Sequence, residues 1–155
     1  MASQLTVTTP SDLEIVITRL LDAPRYLVFE AHTSCEHIVH WWAPDTHEMT
    51  DCAVHFKPGG VWRMAQRGTD GVEHGFHGEF REIVRPERIV WTFDGHHGGA
   101  SVETVTFEEQ EGKTLVTAVA TFESVEERNS MLRSGMGAGV AESYDRLESY
   151  AASLV

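Results

Sequence analysis

Gly78-Glu79-Phe80-Arg81-Glu82-Ile83-Val84-Arg85-Pro86-Glu87-Arg88-Ile89-Val90-Trp91-Thr92 is the stretch whose reading decides the fold. Its alternation predicts two strands, His74 to Val84 and Arg88 to Asp94, joined by a tight reversal at Arg85-Pro86-Glu87. A reversal this short forces the two strands to run antiparallel. Upstream, Met49 to Phe56 and Val61 to Arg67 are further strands, separated by turn residues at Lys57-Pro58-Gly59-Gly60. Downstream, Val102 to Glu108 and Thr114 to Phe122 form a hairpin.

The flanks of this β-rich middle are helical. Before it, an alternating strand over Leu13 to Thr18 leads into two short helices. Pro24 suits the first turn of one, and Ser34 suits the N-cap of the other. After it, Ser124 with Glu127 three residues on is a capping-box pattern. Ser134 is placed as the cap of a last helix, Gly135 to Leu154, with Met136, Val140, Leu147, Ala151 and Leu154 as its apolar stripe. The expected fold is α+β: a curved antiparallel sheet of about six or seven strands around a long C-terminal helix. Residues 1–11 are expected to be a flexible lead-in and residues 12–154 a single domain.

The chain of 155 residues carries 12 basic and 24 acidic side chains, a formal net charge of −12. That balance argues against nucleic acid and against an anionic membrane surface, which both select Lys and Arg. No apolar run approaches the ~18 residues needed to span a bilayer. The polar N-terminus lacks a signal pattern, so a cytoplasmic location is expected. Cys35 and Cys52 are accordingly expected as free thiols, with Cys52 as a small buried hydrophobe.

Four motifs in order carry a family resemblance: His40-Trp41-Trp42-Ala43-Pro44, Pro58-Gly59-Gly60-Val61-Trp62-Arg63, the Gly78 to Thr92 stretch, and Ser134-Gly135-Met136 with Glu142-Ser143-Tyr144-Asp145-Arg146-Leu147. Together they resemble the START-like (SRPBCC, Bet v 1-like helix-grip) superfamily, in the branch related to the activator of heat-shock-protein-90 ATPase, often labelled polyketide cyclase-like. The resemblance implies a hydrophobic ligand held between sheet and last helix, and it allows a homodimer. It does not by itself assign an activity.

Strand parity gives the concave face. Trp62, Met64 and Gln66 share one side of their strand, and His74, Phe76, Gly78 and Phe80 one side of the next. Trp91 and Phe93 follow, with Glu103, Val105 and Phe107 beyond. With Trp41, Met136 and Val140 these make an aromatic-rich candidate ligand site, in which Gln66, His74 and Glu103 are the polar members. Each ring alone reads more readily as core filler; the set is what suggests a site. The small residues Gly78, Ala118 and Ala120 either leave room for a ligand or simply accommodate the rings. Consecutive Trp41 and Trp42 are not expected to face inward together, so Trp62 should matter more to a ligand than Trp42.

His74 and Glu103 are weak catalytic candidates, as general acid or base in an apolar cavity. Nine histidines invite a metal reading. However, His74 and His77 point to opposite faces of a strand, His37 and His40 lack further ligands at a zinc spacing, and His96-His97 lies in a glycine loop. No metal and no cofactor is expected. The first reading is a binding protein for a small hydrophobic or aromatic ligand. Its rivals are a cyclase or aromatase using the same pocket and a co-chaperone-like interaction module. Gly137 and Gly139 near the start of the last helix are either a loosened mouth or points of close packing.

Overall fold

In the computed structural model, which describes residues 5–94, 100–134 and 136–155, the chain runs β1 (Thr6–Thr8), β2 (Glu14–Leu21), α1 (Arg25–Glu30), α2 (Cys35–Ile38), β3 (His47–Val54), β4 (Val61–Gly68), β5 (Glu73–Val84), β6 (Arg88–Phe93), β7 (Ser101–Gln110), β8 (Lys113–Phe122), α3 (Val125–Arg133) and α4 (Met136–Ser153). The strands form one eight-stranded antiparallel sheet in the order β1-β2-β8-β7-β6-β5-β4-β3. This is the expected α+β helix-grip fold, with more strands than the sequence suggested. The added strand is β1, in the segment expected to be flexible, where Thr6 to Thr8 pair with Thr18 to Val16. The two short helices therefore follow the second strand. Gly135, expected to open the last helix, and the His96-His97 loop lie outside the described residues.

The β3-to-β8 meander is built from short reversals, while β2-α1-α2-β3 carries the chain from near one edge of the sheet to the other. Alternation sets the burial. Ile15, Ile17, Arg19 and Leu21 of β2 point into the core, as do Val105 and Phe107 of β7 and Val116 and Ala118 of β8. The β5–β6 reversal contains a cis Arg85–Pro86 bond, and the Glu87 N–H donates to Val84 O at 2.6 Å. Arg85 then lies over the rings of Phe29 and Phe56 and pairs with Glu30 at 2.7 Å. This ties the reversal to α1.

Helix ends follow local chemistry unevenly. Ser124 Oγ accepts from Glu127 N–H at 3.1 Å, as the capping pattern requires. Ser34 precedes α2 without a side-chain cap. Ser134 closes α3 rather than opening α4, and its hydroxyl donates back to Met131 O at 2.6 Å. In α4 the buried residues are Tyr144, Leu147 and Ala151, with Met136 and Val140 packed at the core's margin. Leu154 falls past the helix end and is exposed. Among the described residues no helix is long and apolar enough to cross a membrane.

The expectation of free thiols is corrected. Cys35, at the start of α2, and half-buried Cys52, in mid-β3, form a disulfide across a sequence separation of 17. Sequence spacing carries no information about this approach, because it depends on α2 folding back on the β3 edge. A loop of this size constrains the unfolded chain by about 3 kcal/mol. Changing both cysteines to serine is therefore expected to lower the unfolding free energy by about that amount in urea titrations. An unchanged midpoint would show that the bond contributes nothing.

Candidate functional site beneath the last helix

The inward rings of β4, β5 and β6 are placed side by side by strand register. Trp62 lies opposite Gly78 and Met64 opposite Phe76. Phe80 lies opposite Trp91. Trp91 in turn faces Glu103, and Glu103 faces Ala120. Trp62, Trp91 and Phe93 are the tight part of the cluster, with centroids 4.8 to 5.2 Å apart. The Trp62 indole N–H donates to Thr92 O at 3.0 Å, which satisfies its polar edge in the core.

The fourth ring of this cluster is Trp42, not Trp41. Its indole lies 5.9 Å from Trp91, 6.3 Å from Phe93, and 6.4 Å from both Trp62 and Phe76. Trp41 turns the other way. Its N–H donates to Ala31 O at 2.9 Å and its ring meets His32 at 4.7 Å. α2 ends at Ile38, and the chain then turns, so two consecutive tryptophans enter two different parts of the interior. The Trp42 backbone is held from above by α4. Ser143 Oγ donates to Trp42 O at 2.7 Å, and Arg146 donates to Ala43 O and to His40 O.

Depth divides the sequence-derived site residues. Trp41, Trp62, Met64, Phe80 and Trp91 are buried, whereas Trp42, Phe76, Phe93, Gln66, Met136 and Val140 are half-buried. Parity placed His74 on the correct face, but it is exposed near the free end of β5, its ring 6.5 Å from that of His47. Gln66 shares that end, and its buried Oε1 has no hydrogen-bond partner among the described residues. Gly78 leaves no room for a ligand. A Cβ there would lie 1.8 Å from Thr92 O, so close backbone approach is its reason.

Glu103 does join the cluster. Its Oε1 accepts from the Trp91 indole N–H at 2.8 Å. Burial pushes the carboxyl upward from its ordinary pKa, and the Trp91 hydrogen bond opposes this. Beside it, burial and the Glu103 charge raise the Tyr144 hydroxyl, with Arg19 acting in the other direction. Arg19 is buried on β2 and reaches Asp145 at 2.7 Å and Glu148 at 3.6 Å on α4. Neither Tyr144 nor Arg19 was singled out from the sequence, yet both were readable. Tyr144 continues the 136, 140, 147 stripe, and Arg19 continues the Ile15, Ile17 parity.

Two of the best-formed depressions among the described residues are not centred on these rings. One, of about 440 Å³, is lined by His40, Asp45 and residues of α4, and another, of about 340 Å³, is lined by Arg63, His77 and Asp94 and reaches the cluster at Trp62 and Gly78. The centre of the expected pocket is occupied by the Trp42 indole. His37 and His40 both engage Tyr150, the first by a 2.6 Å hydrogen bond and the second by ring stacking at 4.9 Å. Among the described residues no group of three or more His, Cys, Asp or Glu is placed to hold a metal ion.

A family model described as Activator of Hsp90 ATPase homolog 1-like protein matches residues 22–152. The chain belongs to this family. Solved structures similar to it agree on the fold of this AHSA1-like protein. One from Rhodobacter sphaeroides superposes with a TM-score of 0.90 at 22% identity, covering 97% of this chain and 99% of that one. One from Arthrobacter aurescens gives 0.83 at 26%, covering 96% and 91%. An AHSA1-like protein from Aeromonas hydrophila gives 0.75 at 21%, covering 92% and 96%. No curated protein matches the chain. The START-like resemblance drawn from the four motifs is thus shown at the level of family and fold.

α4 meets the Trp42 backbone at Ser143, and its first turn carries Gly137 and Gly139. A Cβ on Gly139 would meet nothing within 4 Å, and one on Gly137 would make only an ordinary 3.9 Å contact with Val7. Close packing is therefore not the reason for these glycines. Gly137→Ala with Gly139→Ala is expected to stabilise the protein by about 1 kcal/mol in sum. Thermal melting checks the sign, and a lowered melting temperature would overturn it.

Proposed function

We propose that this AHSA1-like chain binds a small hydrophobic, aromatic ligand against Trp42, Phe76 and Phe93, beneath α4. The observation that carries the reading is the gradation of one aromatic cluster. Buried Trp62 and Trp91 form a floor, and half-buried Trp42, Phe76 and Phe93 rise from it. Ring faces left partly uncovered suit a planar apolar guest. Entry requires the Trp42 side chain to shift, while its backbone stays anchored to Ser143.

Naphthalene or a similar neutral aromatic is expected to change tryptophan emission saturably. Trp42→Leu should weaken that binding by about ten-fold, equivalent to 1.4 kcal/mol, the scale of one aromatic pair. Trp62→Leu should instead lower the melting temperature, because Trp62 is a buried core ring. This reverses the ranking expected from sequence. No saturable response, or equal affinity in the Trp42 variant, would sink the proposal.

A cyclase-type activity would rest on Glu103, since His74 is exposed near the free end of β5. Turnover of a bound polyphenolic compound would favour it. A co-chaperone role rests on the family's description, and co-purification with a chaperone would favour that. A cytoplasmic setting would expose Cys35–Cys52 to reduction. Alkylation immediately after lysis, with and without reductant, reports which state the cell maintains.

A further inference from the structure

We propose that the Cys35–Cys52 disulfide is a site of reversible thiol–disulfide exchange, opened by a dithiol reductant and re-formed by a disulfide oxidant, and that its reduction frees the Trp42 segment at one flank of the fold. The exchange stands independently of any ligand at the rings.

Both cysteines lie in the outer part of the fold. Cys35 opens the four-residue α2, next to exposed Glu36, and is half-buried. Cys52 is half-buried on β3, the outermost strand, which pairs with β4 alone. A disulfide that thiols can reach is more readily exchanged than one sealed in a core. In the exchange, a thiolate of the reductant bonds to one sulfur while the other leaves as a thiolate and takes up a proton. The second thiol of the reductant then resolves the mixed disulfide. The protein gains two electrons and two protons, and the reductant becomes a disulfide.

The bond closes a ring of chain from Cys35 to Cys52 that contains the whole Trp41-Trp42 segment. The middle of this ring is held by α4. Ser143 Oγ donates to Trp42 O, Arg146 donates to Ala43 O and to His40 O, and His37 shares its 2.6 Å hydrogen bond with Tyr150. The ends are held less firmly. Ser34 gives α2 no side-chain cap, and β3 shifts register between Met49 and Asp51, just before Cys52. Cys52 lies opposite Met64 and Val54 opposite Trp62, and both of those partners are buried. This face of β3 therefore turns inward, and the disulfide ties α2 across the flank of the interior. Once it is cut, buried Ile38 and Trp41 and the α4 hydrogen bonds still retain the segment. Two folded states follow: an oxidised one with the flank closed, and a reduced one in which α2 parts from β3 and pivots on its α4 contacts with Trp42.

The test uses the folded protein without denaturant. One sample is incubated with dithiothreitol, blocked with iodoacetamide and weighed by mass spectrometry; a second is reduced and then returned to oxidised glutathione. Complete reduction and complete re-formation are expected, with a cooperative melting transition in both states. A bond that opens only after denaturant is added, or a reduced protein that no longer melts cooperatively, marks a permanent staple and overturns the proposal. Amide spectra and acrylamide quenching read the release. Reduction is expected to shift the amides of residues 37–44, to leave those of β7 and β8 in place, and to raise the quenching of tryptophan emission, a rise that Trp42→Phe abolishes. Cys35→Ser with Cys52→Ser, which cannot form the bond, should reproduce the reduced spectrum. Shifts confined to the two cysteines and their chain neighbours, with unchanged quenching, overturn the release of the Trp42 segment.

Discussion

Leu147→Asp is expected to abolish cooperative folding. Leu147 has no exposed surface and sits mid-way along the inner stripe of α4, between Tyr144 and Ala151. Losing its burial costs about 2–3 kcal/mol. Placing an aspartate there adds several kcal/mol more, because the group must be desolvated or protonated and the buried Arg19 nearby is already paired with Asp145 and Glu148. The sum rivals the whole stability of an ordinary domain, about 5–15 kcal/mol. Circular dichroism should show a lost or strongly lowered melting transition. Leu147→Met, which conserves volume, should cost less than about 1.5 kcal/mol. An aspartate variant that melts like the parent would show that α4 is not docked through this stripe.

The same position illustrates what the sequence can carry. Helical spacing placed Leu147, Ala151, Met136 and Val140 on one face, and strand alternation placed Trp62, Phe80, Trp91 and Phe107 inward. Both are local periodicities, set by geometry repeated every few residues. The family motifs were legible for a similar reason: turns such as Pro58-Gly59-Gly60 and Arg85-Pro86-Glu87 impose their conformations locally. Depth was not legible. Parity assigns a face, but it does not say where a strand outruns the layer covering it, so His74 was placed on the right side and yet is exposed. β1 escaped because Thr6-Val7-Thr8 is short, polar and outside the buried part of the sheet.

The larger misreadings concern contacts between segments distant in sequence. The Cys35–Cys52 bond depends on α2 returning to the β3 edge. Trp42 was taken for the outward member of a helical pair, but the helix had ended four residues earlier. Its ring then fills the space in which a cavity was expected. The ligand-site reading thus moves from an open interior pocket to a half-buried aromatic surface with a movable ring. That change is what makes Trp42, rather than Trp62, the position where binding and stability can be separated experimentally.

Gly78→Ala is expected to be the most damaging single methylene addition in the sheet. From sequence, Gly78 read as a small residue that either left room on the concave face or accommodated the rings. In the structure a Cβ there would lie 1.8 Å from Thr92 O, 2.6 Å from Thr92 C and 2.8 Å from Thr92 Oγ1. Two of these atoms are backbone and cannot turn aside as a side chain can. Thr92 also holds this junction together. Its carbonyl accepts from the Trp62 indole at 3.0 Å, and its hydroxyl accepts from Glu79 N–H at 3.0 Å. Relieving the clash separates β5 from β6 just where β5 passes from pairing with β4 to pairing with β6. Overpacking and the loss of these hydrogen bonds together cost about 3–4 kcal/mol. For a domain of this size that corresponds to a fall of roughly 10 °C in melting temperature. Trp62 emission should shift toward that of a solvated indole. Gly139→Ala, with open space around its Cβ, is expected to move the melting temperature upward, so the two alanines form a matched pair of opposite sign. A Gly78→Ala variant that melts within a degree or two of the parent would mean that the β5–β6 junction is looser than this close approach requires.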